Sequence, residues 1–238
     1  MIQFRDAKRA ADARELKAVA KKWAKNMTLF AVGIFVLLFA YGSYIKYDAQ
    51  KRTPEAVARI HARTVTMEMV EGKNLPPMPV ASERDATVAG VDVNQNGVRD
   101  DVEIEIFKRH PNEPKVRAAQ LQYAMALQSQ LTEIFSEGTL VAVLEESSRS
   151  NLCFSELYTK RQDGLPRDRP IYEWTPEEMD LSNQYSKEKD ALVDPLISEV
   201  DQLVTNTIIR KKSYQDSYSF MTGYGESDKE SSCDVIFR

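Results

Sequence analysis

Leu29-Phe-Ala-Val-Gly-Ile-Phe-Val-Leu-Leu-Phe-Ala40 lies at the centre of a stretch, Met27 to Ile45, that contains no charged residue. Nineteen helical residues span roughly 28 Å, about one hydrocarbon core, so the stretch reads as a single membrane crossing. Its two flanks differ in sign. Eight basic against three acidic residues leave +5 on the first 26 residues, and the chain's total of -4 therefore leaves -9 beyond the apolar stretch. Basic flanks stay in the cytoplasm, which predicts an amino terminus inside and the large carboxyl-terminal part outside. Trp23 falls near the inner interface, and Tyr41, Tyr44 and Tyr47 near the outer one. Ala40-Tyr41-Gly42 also places small residues where signal peptidase reads, so cleavage after Gly42 is the competing reading. The long leader and the apolar residues past that point favour a retained signal-anchor, and either reading exports the chain after about residue 46.

Beyond the anchor the apolar periodicity is helical, and the length suffices for one domain of about 150 residues with its own core. The expected class is mainly α: an N-terminal transmembrane helix followed by an exported helical domain. Thr53-Pro54-Glu55 supplies an N-cap and a first-turn proline for a stalk helix running to about Val70. Gly72, Pro76, Pro77 and Pro79 then make an extended connector. Val102, Ile104, Ile106 and Phe107 predict a short helix ending near His110-Pro111. Asn112-Glu113-Pro114 opens the next, with Val116, Tyr123, Leu127, Leu131 and Ile134 as a core-facing stripe and Gly138 as its end. A helix from Leu140 to about Tyr158 and a loop from Arg161 to Trp174 follow. Thr175 and Glu178 form a capping box for a long helix towards Arg210, with Tyr185, Leu192, Leu196, Val200, Leu203 and Thr207 on one face and a kink or restart at Asp194-Pro195. The segments are thus a cytoplasmic basic stretch 1–26, an anchor 27–45, a stalk 46–71, a connector 72–91, a helical domain 92–210 and an irregular tail 211–238. Cys153 and Cys233 are the only cysteines and both lie on the exported side, which predicts one disulfide clipping that tail.

The helical domain opens with Asp92-Val-Asn-Gln-Asn-Gly-Val-Arg-Asp-Asp-Val-Glu103. This run fits the EF-hand loop at every ligand position: Asp92, Asn94 and Asn96, the carbonyl of Val98, then Asp100 and a closing Glu103, with Gly97 at the sharp turn. Ca2+ takes six to eight oxygens at about 2.3 to 2.6 Å, more than one side chain supplies, and a tight loop rich in Asp and Asn gathers them at one point. A helix cap would need only one of these residues, so the whole set argues for metal binding. Asp101 is expected to point away. Arg99 stands where paired EF-hands carry an aliphatic bridge, and Pro79 to Gly90 holds no entering helix, so the expectation is a solitary loop followed by one helix.

The stretch Asp85 to Glu103, followed by Ala118-Ala-Gln-Leu-Gln-Tyr-Ala-Met-Ala-Leu127, resembles a group of exported proteobacterial proteins that carry one EF-hand-like loop. The likeness covers roughly residues 75 to 130. It implies a bacterial envelope location, hence an inner-membrane anchor with a periplasmic domain, and calcium ligation, but no particular activity.

His61 and His110 stand apart from any nucleophile motif, and the sequence holds no phosphate loop or zinc-type cluster. Glu145-Glu146 and Glu177-Glu178 are adjacent on helices and diverge, so catalysis is disfavoured. The acidic exported part argues against nucleic acid, since the basic block lies beside the membrane on the cytoplasmic side. The expected function is a membrane-anchored periplasmic calcium-binding module, structural or interacting with an envelope protein partner. The alternative is an envelope enzyme acting on cell-wall or polysaccharide material with structural calcium, for which Tyr172, Trp174 and Tyr185 are the only cleft lining to offer.

Overall fold

Helices supply every regular element among the described residues of the computed structural model, which are 2–158, 164–166, 168–223, 225, 229 and 231–237. The first, α1 (Ile2–Ala62), contains the uncharged stretch and is long and apolar enough to cross a membrane. Phe30, Phe35, Leu37 and Phe39 are all exposed along it, a surface that only lipid or another apolar partner would cover. The chain divides into two units, residues 1–51 and 52–238. In the second unit the last turns of α1 are followed by α2 (Met67–Glu71), α3 (Ala81–Arg84), α4 (Asp100–Arg109), α5 (Pro114–Thr132), α6 (Glu137–Glu156), α7 (Pro176–Val204) and α8 (Ile208–Ser217).

The core is built around α5, which packs against α2, α4, α6, α7 and α8. The sequence predicts one core-facing stripe on this helix, yet it is buried on all sides from Arg117 to Leu127. Ala118, Ala119, Ala124 and Ala126 let neighbouring backbones approach closely, and the buried polar side chains between them donate hydrogen bonds to the surrounding elements. Arg117 donates to the carbonyls of Val70, His110 and Pro111, Gln120 to Leu196, Gln122 to Ser232 and Gln130 to the Ser217 hydroxyl. The polar residues outside that stripe are the polar seams of the interior.

Several boundaries differ from the sequence reading, each for a local reason. Thr53 caps nothing: α1 runs through it with Pro54 inside, and its hydroxyl donates to Ser136 at 2.8 Å. The expected stalk instead ends at Ala62, and Thr66 caps the separate short α2, which closes on Gly72 at φ 72°. Gly138 does not end α5, which stops at Thr132. It lies in the first turn of α6, behind the Ser136–Thr139 capping box, where a Cβ would stand 2.7 Å from Thr53 Cγ2. Pro195 lies within α7 without restarting it, and Thr207, expected on its face, is the N-cap of α8, a helix where an irregular tail was expected. Of the loop expected from 161 to 174, residues 161–163 and 167 lie outside the described residues.

The carboxyl-terminal residues are held by a Cys153–Cys233 disulfide. Next to it, Asp234 accepts the Val65 amide at 2.8 Å and pairs with Arg149 at 2.7 Å, while Val235 enters the core. This tail therefore joins α6 to the chain between α1 and α2. Cys153→Ser with Cys233→Ser should lower the unfolding free energy of the full chain by about 4 kcal/mol, from lost restraint on the unfolded state. Denaturant titration followed by near-ultraviolet circular dichroism measures it, and an unchanged midpoint would contradict a tail that restrains the fold.

Candidate metal centre

The loop from Asp92 to Glu103 is folded on its own polar side chains. Asp92 accepts the amides of Asn96 at 3.2 Å and Gly97 at 3.0 Å, Asn94 accepts that of Asn96 at 3.3 Å, and Asn96 accepts that of Val98 at 2.8 Å. Gly97 has φ 86° and Gln95 has φ 55°, the left-handed backbone a tight turn needs. Asp100 accepts the Val93 amide at 3.1 Å, and its own amide donates to Val91 at 2.9 Å, so the helix start folds back over the loop's beginning. Glu103 accepts the Asn94 side-chain amide at 3.1 Å. Five of the six expected ligands are thereby joined by hydrogen bonds within the loop. The sixth, the Val98 carbonyl, belongs to a residue whose side chain is buried in the core with Val102 and Ile106.

Two of the three carboxylates expected as ligands have almost no access to water. Asp100 is 0% exposed and Glu103 1%. Burial pushes the Asp100 carboxyl above the usual carboxylate range, against the Val93 amide, and the charges of Asp92 and Asp101 push the same way. Burial likewise raises Glu103, opposed by the Asn94 and Asn96 amides and assisted by Asp100 and Asp92. Moreover, Asp100 Oδ2 is buried with no hydrogen-bond partner. Among the described residues no group of three or more His, Cys, Asp or Glu side chains forms a metal cluster. The donor set here is a mixed one, two amides and a carbonyl beside three carboxylates, which suits a hard oxygen-seeking cation rather than zinc.

Asp101 does point away from the loop, into a buried ion pair with Arg99. Arg99 Nε donates to one Asp101 oxygen at 2.5 Å and Nη2 to the other at 3.0 Å. The same guanidinium donates to the Leu203 and Val204 carbonyls at the end of α7, at 2.8 and 3.2 Å. A cation there offsets both the unpaired carbonyls and the negative end of the helix. Arg210, also 0% exposed, donates to the carbonyls of Arg84, Thr87 and Val88 and pairs with Asp85 at 3.1 Å. Hydrogen bonds from Arg84 and Arg210 bring the Asp85 carboxyl down to about 2, despite the opposing effect of burial. Between the two guanidiniums lies Gly90 at φ 68°, where a Cβ would meet Arg99 Cδ at 2.2 Å. The sequence marked Arg99 only as a departure from paired loops and did not single out Arg210. Long-range carbonyl partners leave no local pattern.

The histidines are used in packing. His61 lies between Glu145 at 3.3 Å and Glu146 at 2.8 Å, and His110 between Glu113 and Glu199, both at 2.9 Å. Tyr172 is 85% exposed and Tyr185 is buried in α7, so the suggested cleft lining does not come together. Comparison of the chain with protein-family models, with curated proteins and with solved structures finds no match.

Raised carboxyl groups stabilise the fold below their ordinary pKa, and that contribution is lost as pH rises through the folded value. At neutral pH, in chelator, Asp100→Asn or Glu103→Gln should therefore raise stability, by about 1 kcal/mol, because a buried charge is removed and the shape kept. The gain should shrink as pH falls through the raised folded values and be largely gone below about 4, where the carboxyls are protonated in the folded and unfolded states alike. Thermal melts at pH 7 and pH 3.5 test the sign, and destabilisation at pH 7 would count against it.

Proposed function

We propose that this chain is a single-pass inner-membrane protein whose periplasmic helical domain binds calcium at Asp92, Asn94, Asn96, Val98, Asp100 and Glu103, and acts as a structural or interaction module for an envelope protein partner. The observation that carries the metal reading is the unpartnered, fully buried oxygen of Asp100, set beside the buried carboxylate of Glu103. Burying two like charges without a counter-charge is costly, and a divalent cation removes that cost while using oxygens the loop already gathers. Binding energy then appears as folding energy.

The orientation rests on the +5 and -9 charges either side of the apolar stretch, and a disulfide belongs in an oxidising compartment. The module reading is supported by exposed apolar side chains on the domain, among them Ile171, Tyr172 and Ile208, which suit contact with a partner.

An affinity of about 0.1 to 1 mM suits such a site. At tens of times that Kd, calcium should stabilise the full-length protein in detergent by about 2 kcal/mol. Asp92→Ala with Glu103→Ala should abolish the rise in melting temperature, and equal melting of the native protein in calcium and in chelator would defeat the reading. Alkaline phosphatase fused to the carboxyl terminus should be active in intact bacteria. An inactive fusion made in normal amount would place that end in the cytoplasm.

A further inference from the structure

The loop lacks an entering helix of its own, and the chain that faces it comes from earlier in the sequence. Asn94 Nδ2 donates at 3.1 Å to Glu103 and also at 3.1 Å to the carbonyl of Asn74. Two oxygens from residues far apart in the chain thus converge on one donor. Around them is a cavity of about 300 Å³, lined by Thr66, Glu68, Met69, Asn74, Asn94, Asn96 and Glu103. That volume is ample for a cation with several water ligands. Six of its seven lining residues bring oxygen atoms on their side chains, and one of them, the exposed Glu68, adds a carboxylate from the α2 side.

We propose that the cation is shared: the loop holds it from one side, and the α2 segment, through Glu68 and the Asn74 carbonyl, completes its shell directly or through water. This rests on the calcium reading of the loop. When Asn94 turns its oxygen to the ion, its N–H leaves both Glu103 and Asn74, and the ion becomes the positive group that both oxygens face. Glu68 adds a fourth carboxylate to Asp92, Asp100 and Glu103. The segment Thr66–Asn74 then performs from outside the loop the bracing that an entering helix gives elsewhere, and calcium ties it to α4.

Calcium titration of the full-length protein in detergent, with amide hydrogen exchange in calcium and in chelator, tests this. Glu68→Gln should weaken calcium binding about tenfold. Glu71→Gln removes the same charge from the same short helix, but Glu71 is paired with Lys73 and does not line the cavity, so it should change affinity less than about twofold. Calcium should slow exchange in residues 66–74 as well as 92–103. Protection confined to 92–103, with Glu68→Gln binding as tightly as the native protein, would overturn the shared site and leave the loop site standing. No binding and no protection in the native protein would overturn both.

Discussion

A guanidinium without exposed surface must find an acceptor for its N–H groups, or the arrangement that buries it does not form. Arg99 meets that condition with both oxygens of Asp101 and two carbonyls at the end of α7. Removing a charge from water costs several kcal/mol, so only this set of partners makes the burial tolerable, and losing one would leave a charge stranded. The loop, the start of α4 and the α7–α8 junction are therefore fixed together. Arg210 repeats the device from the other side and fastens residues 84–88. The segment between α3 and the loop has little regular structure of its own, and these two side chains supply its order.

The centre of the domain follows a similar logic with neutral groups. Because α5 is enclosed, each polar side chain on it must reach a backbone carbonyl or hydroxyl of a neighbour, and each such bond sets the height of that neighbour along the helix. Gln122 fixes the tail from both ends, donating to Ser232 and accepting the Asp234 amide at 2.9 Å. Without the tail, this amide and Arg149 would lose partners together. Apolar contacts alone would tolerate sliding, whereas these bonds select one register.

What could be read beforehand was what local chemistry encodes. The apolar stretch, the Thr175 capping box, the disulfide and the helical character all depend on neighbours in sequence or on composition, and these features stand. The errors share a cause. Gly138 and Thr53 have the local character of punctuation, yet they are where α6 and the last turns of α1 approach each other. The α5 stripe was too narrow because Ala and Gln score as indifferent on a hydrophobic pattern, although they are what a close-packed, hydrogen-bonded interior helix uses. At the candidate site, the twelve-residue spacing was legible. The role of Arg99 and the opposing wall from the α2 side were not, because each is set by residues 20 to more than 100 positions away.

The loop's surroundings also bear on what a bound cation could accomplish. In a sensor, the ion moves a helix whose resting position is loosely held, and the gain is read as exposed apolar surface. Here Val98, Val102 and Ile106 are already in the core, and Arg99 with Asp101 secures the same backbone to α7. Opening α4 would strand a buried guanidinium and uncover that core, a change larger than the few kcal/mol a weak site supplies. The part left adjustable is the cavity side, where Asn94 can exchange its hydrogen bonds for ion contacts without moving the helix. On the reading proposed above, a cation at this position would be a brace: it would neutralise carboxylates that packing has already buried, and its effect would be confined to the loop and the segment facing it.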